Sequence, residues 1–357
     1  MRILHLAAGN RWTGAAAPAF AEVEALRAAG IDAHYAYVGG YKLQAKLAHL
    51  DFAHPIIEKA QNPLAFRRSI NALDRMIHLH GFEVIHAHLT YDHWLARFAA
   101  RPHRIKVART FHARRVLRTD PFTRSLVSRT DLLCVVNDTF AASRAITGRP
   151  AVFTPPPLDT RQFTPAGADV RAQYGIDAST KLVTVIGKLS KDRGFEEALQ
   201  TFAALRPLVP AARLMIIGHG EHRPALEAHA ASLGIRDSVL WAGYHEDDLA
   251  EHYRASDLLL FTARGSDEGH RAVLEAMGCG VPPATFPIDG VAALLGELAT
   301  ELIAPTTRPE DLAAVAARAL KRSEVASLRT SVAQRAQEFS YLRAAARLLD
   351  AYTSLIA

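Results

Sequence analysis

Asp267 and Glu275 stand eight positions apart in the segment Gly265-Ser266-Asp267-Glu268-Gly269-His270-Arg271-Ala272-Val273-Leu274-Glu275-Ala276-Met277-Gly278-Cys279-Gly280-Val281-Pro282. A carboxylate only accepts hydrogen bonds and takes two donors at once, which suits the paired hydroxyls of a polyol. Two carboxylates at this spacing can hold the two ends of an elongated polyol. The glycine-bearing loop leads into a helix, whose first N–H groups are unpaired and partly positive, a setting for a phosphate or a sugar oxygen. On spacing alone an N-capping Asp267 and an ordinary surface Glu275 are the better account of the pattern.

A second group is Gly187-Lys188-Leu189-Ser190-Lys191-Asp192-Arg193-Gly194. Basic side chains in a strand-to-helix loop can neutralise a diphosphate. Leu214-Met215-Ile216-Ile217-Gly218-His219-Gly220-Glu221 and Trp241-Ala242-Gly243-Tyr244 end apolar runs in glycine, where backbone can turn tightly or approach closely. Gly14 lies in a loop between an apolar run and a helical pattern, in Asn10-Arg11-Trp12-Thr13-Gly14-Ala15-Ala16. His86-Ala87-His88 and Asp92-His93 have spacings that metal ligands also use. A packed or cleft-lining role is expected instead, because His-x-His after a strand puts both rings on one side. His112 closes the run Val107–Phe111.

These residues need elements to hold them. The 357 residues, 49% hydrophobic and 22% charged, suit about two globular domains and exclude wholesale disorder. Runs at Ile3–Leu6, Ala33–Val38, Val84–Ala87, Val107–Phe111 and Leu132–Val136 read as buried strands, with helices at Ala16–Ala29 and Pro63–Leu79 between them. Beyond Thr154-Pro155-Pro156-Pro157-Leu158 the strands are Leu182–Ile186, Arg213–Ile217, Val239–Ala242, Leu258–Phe261 and Val281–Thr285. Helical stretches there are Glu196–Leu208, His222–Leu233, Asp247–Arg254 and Ala272–Met277. Strands alternating with helices call for parallel sheets, so the expected class is α/β, with two Rossmann-like doubly wound domains facing across a cleft. The expected domains are 1–160, 161–338 and a terminal helical segment 339–357. In that last segment, Leu342, Ala345, Leu348, Leu349 and Tyr352 form a one-sided apolar stripe that needs a surface to cover.

Cys134 and Cys279 sit in apolar or glycine-rich runs and read as packed thiols of a reducing compartment. No apolar run reaches the length of a membrane span, and Met1–Gly9 reads as a first strand rather than a leader, so a cytoplasmic location is expected. Charge is uneven: residues 1–165 carry 22 Lys and Arg against 12 Asp and Glu, and the remainder 20 against 24. The densest basic stretch, 101–129, includes Arg109, Arg114, Arg115 and Arg118. It suits an anionic partner, or is a solvated basic face without one.

The 265–282 segment resembles the donor-site motif of retaining glycosyltransferases of family 4, which have the GT-B fold. That family carries Glu-x7-Glu followed by Ala-Met-Ala-x-Gly-x-Pro. Asp267 replaces the first glutamate, and Gly278-Cys279-Gly280-Val281-Pro282 matches the tail. Lys188 and Arg193 exchange the family's Arg and Lys, and Asp159…Phe163-Thr164-Pro165 fits its Asp-x3-Phe-x-Pro. Several positions depart from the pattern, among them Thr13 and Pro156-Pro157. The resemblance covers nearly the whole chain and implies that the last helix crosses back to the first domain.

It also implies roles. Glu275 meets the nucleotide ribose and Asp267 the donor sugar. Gly14, Gly187, Lys188, Arg193, Gly218, Tyr244, Glu268, Gly269, His270 and Arg271 complete a nucleotide-sugar site. His112, Lys188, Arg193 and Asp267 are the expected catalytic set, and Arg109, Arg114, Arg115 and Arg118 an acceptor or membrane surface. The expected substrates are a nucleotide-diphosphate sugar and a glycan or lipid-linked acceptor of lipopolysaccharide or other envelope synthesis. Attachment to the inner face of the cell membrane is expected through the basic stretch, at about 1 kcal/mol per well-placed cation. No cofactor, metal or nucleic acid is expected. The alternatives are a non-catalytic nucleotide-sugar-binding protein, a GT-B nucleotide-sugar epimerase and a nucleic-acid binder using the arginines.

Overall fold

The computed structural model describes residues 1–9, 12, 14–263, 269–321 and 325–356. It divides into two compact units. One comprises Met1–Pro157 and the terminal segment from Phe339; the other runs from Leu158 to Glu338, apart from Gly269, which belongs with the first.

The first unit is built on seven parallel strands: β1 (Arg2–Ala7), β2 (Asp32–Val38), β3 (Ala53–Ile57), β4 (Val84–Ala87), β5 (Lys106–Phe111), β6 (Leu132–Val135) and β7 (Ala151–Phe153). Their order is β3-β2-β1-β4-β5-β6-β7. Both faces are covered, as the unbroken apolar runs require. Ile3 and Ala7 of β1 pack towards the helices Ala16–Ala28 and Tyr341–Ile356, while Leu4 and Leu6 join the side containing Leu73, Ile77, Leu95 and Ala99. β3 carries Pro55, which a sheet tolerates at an edge strand, and that proline is why the sequence pattern does not read as a strand. The helix Pro63–His80 is bounded by local chemistry: the Asn62 side chain accepts from Ala65 N–H, and Gly81 closes it in the left-handed region at φ 64°.

The terminal helix Tyr341–Ile356 packs on Ala16–Ala28, with Ala345, Leu348 and Tyr352 buried and Tyr341 Oη donating to Glu24 Oε2 at 3.0 Å. Leu342, expected in the covered stripe, is instead 73% exposed. In this first turn Tyr341 and Ala344 take the inner face.

The second unit has five parallel strands, β8 (Lys181–Ile186), β9 (Ala212–Ile217), β10 (Val239–Gly243), β11 (Leu258–Phe261) and β12 (Pro283–Thr285), in the order β10-β9-β8-β11-β12. Each expected strand is present within two residues of its expected ends. The helices Thr90–Ala100 and Pro309–Lys321 were not marked by the sequence pattern. Cys134 and Cys279 are both buried, and burial pushes the Cys279 thiol up to about 12.

At the outer side of the first sheet His34 Nδ1 lies 2.8 Å from His54 Nε2, and the rings of His34, His54 and His80 meet. Burial, then the charges of His34 and His80, pushes the His54 pKa down to about 4. A base with a depressed folded pKa stabilises the fold fully above its unfolded value and loses that contribution as pH falls towards the folded one. The melting temperature is therefore expected to fall between pH 6.5 and 4, and His54→Gln to flatten part of that decline in a series of thermal melts against pH.

Candidate functional site

In an open parallel sheet, ligands bind beyond the carboxyl ends of the strands, where the strand order reverses. In the second unit that point lies between β8 and β11. The loop after β8 holds Gly187, Lys188 and Arg193, and the segment after β11 leads to His270 and the helix Arg271–Gly278.

These loops are fixed by backbone contact. Gly218, at φ 143°, passes so close to the β8 loop that a Cβ there would stand 1.8 Å from Gly187 O. At Gly220 a Cβ would be 2.1 Å from Leu189 O. Main-chain hydrogen bonds seal the same crossing, Leu189 N–H to His219 O at 3.0 Å and Gly218 N–H to Gly243 O at 2.6 Å. Gly194, at φ 72°, ties the β8 loop to the end of β11, where Thr262 Oγ1 donates to Gly194 O at 2.7 Å.

Against this frame the side chains divide. Arg193 has its Nε buried without a hydrogen-bond partner. Lys188 is exposed, 3.7 Å from Glu221. Glu275 is buried to 8% exposure on Arg271–Gly278; its Oε2 accepts from Tyr253 Oη at 3.2 Å, and Arg271 Nε lies 3.3 Å from Oε1. The surface carboxylate that spacing alone allowed at Glu275 is thus replaced by a buried, oriented one. His270 adopts φ 51°, unusual for a residue with a side chain. Its Nε2 donates to Asp289 O at 2.7 Å while its Nδ1 is buried without a partner. Tyr244 is exposed, its ring edge-on to His219 at 5.0 Å. Asp267 and Glu268, with Asn10, Arg11 and Thr13, lie outside the described residues. Gly269 packs so closely on Pro156 that a Cβ would meet its Cγ at 2.7 Å.

In the first unit the order reverses between β1 and β4. Gly14, at φ 62°, stands in open space on the β1 side. His112 follows β5, and its Nε2 lies 2.9 Å from His88 Nδ1. Burial, then the nearby Arg109 charge, pushes its pKa down to about 3, so its ring is neutral at physiological pH. His86 and His88 are packed, as expected, their rings 4.6 Å apart on one side of β4. Asp92, held by Ala8 N–H and Leu89 N–H, is buried, and burial raises its pKa to about 7.

Arg109 corrects an expectation. The resemblance implies an acceptor or membrane surface for it, yet it is 2% exposed, with Nε and Nη1 lacking hydrogen-bond partners and its guanidinium 5.0 Å over the Phe111 ring. The sheet explains this: β5 lies between β4 and β6 with both faces covered, and every position from Val107 to Phe111 is buried. Arg114, Arg115 and Arg118 are on the surface; Arg114 donates to Thr139, and Arg118 lies 3.3 Å from Asp120. The Arg193 Nε and the glycine crossing at 218 and 220 carried no exclusive sequence signal, because burial and close approach come from loops far apart in the chain.

Two parallel sheets, each with ligand-competent loops at its reversal point, define a two-unit Rossmann-like protein of the GT-B fold. Residues 12–147 match the family model described as Glycosyltransferase Family 4, and residues 168–339 match Glycosyl transferases group 1. The chain belongs to glycosyltransferase family 4. Among curated relatives, a D-inositol 3-phosphate glycosyltransferase of Mycobacteroides abscessus is 31% identical over 209 residues, 57% of this chain and 46% of that protein. An N-acetyl-alpha-D-glucosaminyl L-malate synthase of Bacillus anthracis is 26% identical over 276 residues, 73% of this chain and 70% of that one. The match spans less than half the length of the D-inositol 3-phosphate glycosyltransferases of M. abscessus and Segniliparus rotundus, at 46% and 36%. In fold, the chain is similar to Anabaena HepE, solved with UDP, at a TM-score of 0.82 and 16% identity over 99% of this chain and 100% of that one. No helix among the described residues is long and apolar enough to cross a membrane.

Proposed function

We propose that this chain is a retaining glycosyltransferase, moving a sugar from a nucleotide-diphosphate sugar to a hydroxyl of a glycan or lipid-linked acceptor. The observation that carries the reading is at the second reversal point: an Arg193 whose Nε is buried and unpaired on one loop, and a buried, tyrosine-held Glu275 beyond the other. Glu275 would accept from the ribose hydroxyls. Lys188 and Arg193 would stabilise the charge that develops on the leaving diphosphate, which asks for no metal there. Asp267 and His112 would act at the donor sugar. His112 enters as a neutral imidazole, able to donate a hydrogen bond to a sugar hydroxyl without bringing a charge. The names of two relatives, which carry D-inositol 3-phosphate and L-malate, support an acceptor bearing an anionic group, and the HepE structure holds UDP.

The reading is tested first by melting the protein with UDP-, GDP- and ADP-sugars. A ligand at a hundred times its Kd adds about 2.7 kcal/mol, so one nucleotide class should shift the melt; no shift with any class would overturn the donor site. With the donor found, Arg193→Ala is expected to lower kcat about tenfold to a hundredfold with little change in melting temperature, read in a transfer assay. The stereochemical outcome is read by NMR of the first-formed anomer.

An envelope acceptor and attachment to an anionic membrane surface rest on the first unit. Arg115 and Arg118 are exposed on it, as is Phe122, at 74%. A groove of about 270 Å³ is lined by Arg124, Arg144 and Arg149. The double variant Arg115→Glu/Arg118→Glu should release the chain from phosphatidylglycerol vesicles in co-sedimentation; equal binding by both proteins would exclude this surface.

A further inference from the structure

A set of side chains under the first sheet has no part in the sugar-transfer reading. His5 on β1, Glu22 on the helix Ala16–Ala28, and His86 and His88 at the end of β4 are 0 to 2% exposed. Their placement follows from alternation: His5 lies between Ile3 and Ala7, on the face covered by Ala16–Ala28 and Tyr341–Ile356, and is in register with His86.

His5 Nδ1 is 2.9 Å from His88 Nε2, and Glu22 Oε2 is 3.6 Å from each of those two nitrogens. The point equidistant from these three atoms lies about 2.0 Å from each, the bond length of zinc to imidazole nitrogen and carboxylate oxygen. A donor atom of His86 lies within 4.8 Å of the others, but both His86 nitrogens are engaged, Nδ1 with Tyr352 Oη and Nε2 with Thr110 Oγ1 at 2.7 Å. Glu22 Oε2 has no hydrogen-bond partner. A buried carboxyl oxygen left unpaired is costly, and a cation bound between it and two imidazoles removes that cost.

We propose that His5, Glu22 and His88 bind a divalent transition-metal ion of the zinc class. Two imidazoles with one carboxylate suit zinc, cobalt or nickel, whereas magnesium and calcium prefer all-oxygen sets. Both histidines are already neutral, since burial holds the His5 pKa near 3 and lowers that of His88. Burial raises the Glu22 pKa, and a metal would bind its carboxylate form. The site would also set a tautomer. A His88 that ligates through Nε2 keeps its proton on Nδ1 and donates it to His112 Nε2 at 2.9 Å, leaving the His112 proton on Nδ1. The ion is structural, and the inference does not depend on the transferase reading.

The test uses the full chain, untagged, produced in zinc-supplemented medium and dialysed against chelator-free buffer. Elemental analysis should find about one equivalent of zinc. His54→Gln, which alters a separate histidine group of the first unit, should keep it, and Glu22→Gln should lose it. Cobalt exchanged into the wild type should give the visible absorption of a four-coordinate nitrogen–oxygen site, a readout that holds even if Glu22→Gln does not fold. Absence of both zinc and cobalt absorption in the wild type would overturn the proposal and leave a neutral hydrogen-bonded histidine layer. A metal content unchanged in a folded Glu22→Gln would overturn it as well.

Discussion

Glu275→Gln is expected to lower kcat/KM for sugar transfer by roughly a hundredfold to ten-thousandfold, because two hydrogen bonds to a charged acceptor are worth about 1.5–3 kcal/mol each. Glutamine suits the test. It keeps the volume and one oxygen able to accept from Tyr253 Oη, so the helix Arg271–Gly278 retains its packing and the melting temperature should move little. What is lost is the charge and the second acceptor, the two properties by which a carboxylate holds a pair of ribose hydroxyls. The melting shift produced by the nucleotide sugar should disappear in the same variant. Lys191→Ala, an exposed change in the β8 loop, should leave both intact. Transfer within threefold of the wild type in Glu275→Gln would remove Glu275 from the donor site.

Gly218→Ala should destabilise the second unit by about 3 kcal/mol or more and lower its melting temperature by roughly 10 °C, by the usual scaling for a unit of this size. Two effects add. At φ 143° a side chain is strained whatever space surrounds it, and the new Cβ would stand 1.8 Å from Gly187 O, an atom of backbone that cannot rotate away. The β8 loop would have to move, carrying Lys188 and Arg193 with it, so donor binding should fall along with stability. Gly234→Ala is the control: Gly234 has φ 69° but nothing within 4 Å of the added Cβ, so only the conformational cost remains, about 1 kcal/mol. Equal losses in the two variants, measured by denaturant unfolding, would show that the crossing of the two loops has more room than its geometry indicates.

Residue order alone determined much of this protein. Uninterrupted runs such as Leu214–Ile217 and Leu258–Phe261 are legible as strands because a parallel sheet covered on both faces demands apolar side chains at every position. The family motif was legible because its residues are contiguous, and the same holds for His-x-His, whose spacing fixes both rings on one side of β4. Pro55 hid the edge strand β3, since proline is evidence against a strand except at an edge, and position in a sheet is not written locally. Arg109 was misplaced for a related reason. An arginine within a charged stretch reads as surface, and only the pairing of β5 between β4 and β6 puts it inside. The approach of Gly218 to Gly187, the unpaired Arg193 Nε, and the meeting of His5, Glu22 and His88 belong to tertiary structure alone. Each joins residues from separate elements, and a distance between elements is set by how whole sheets and helices pack, not by the types of the residues that end up touching.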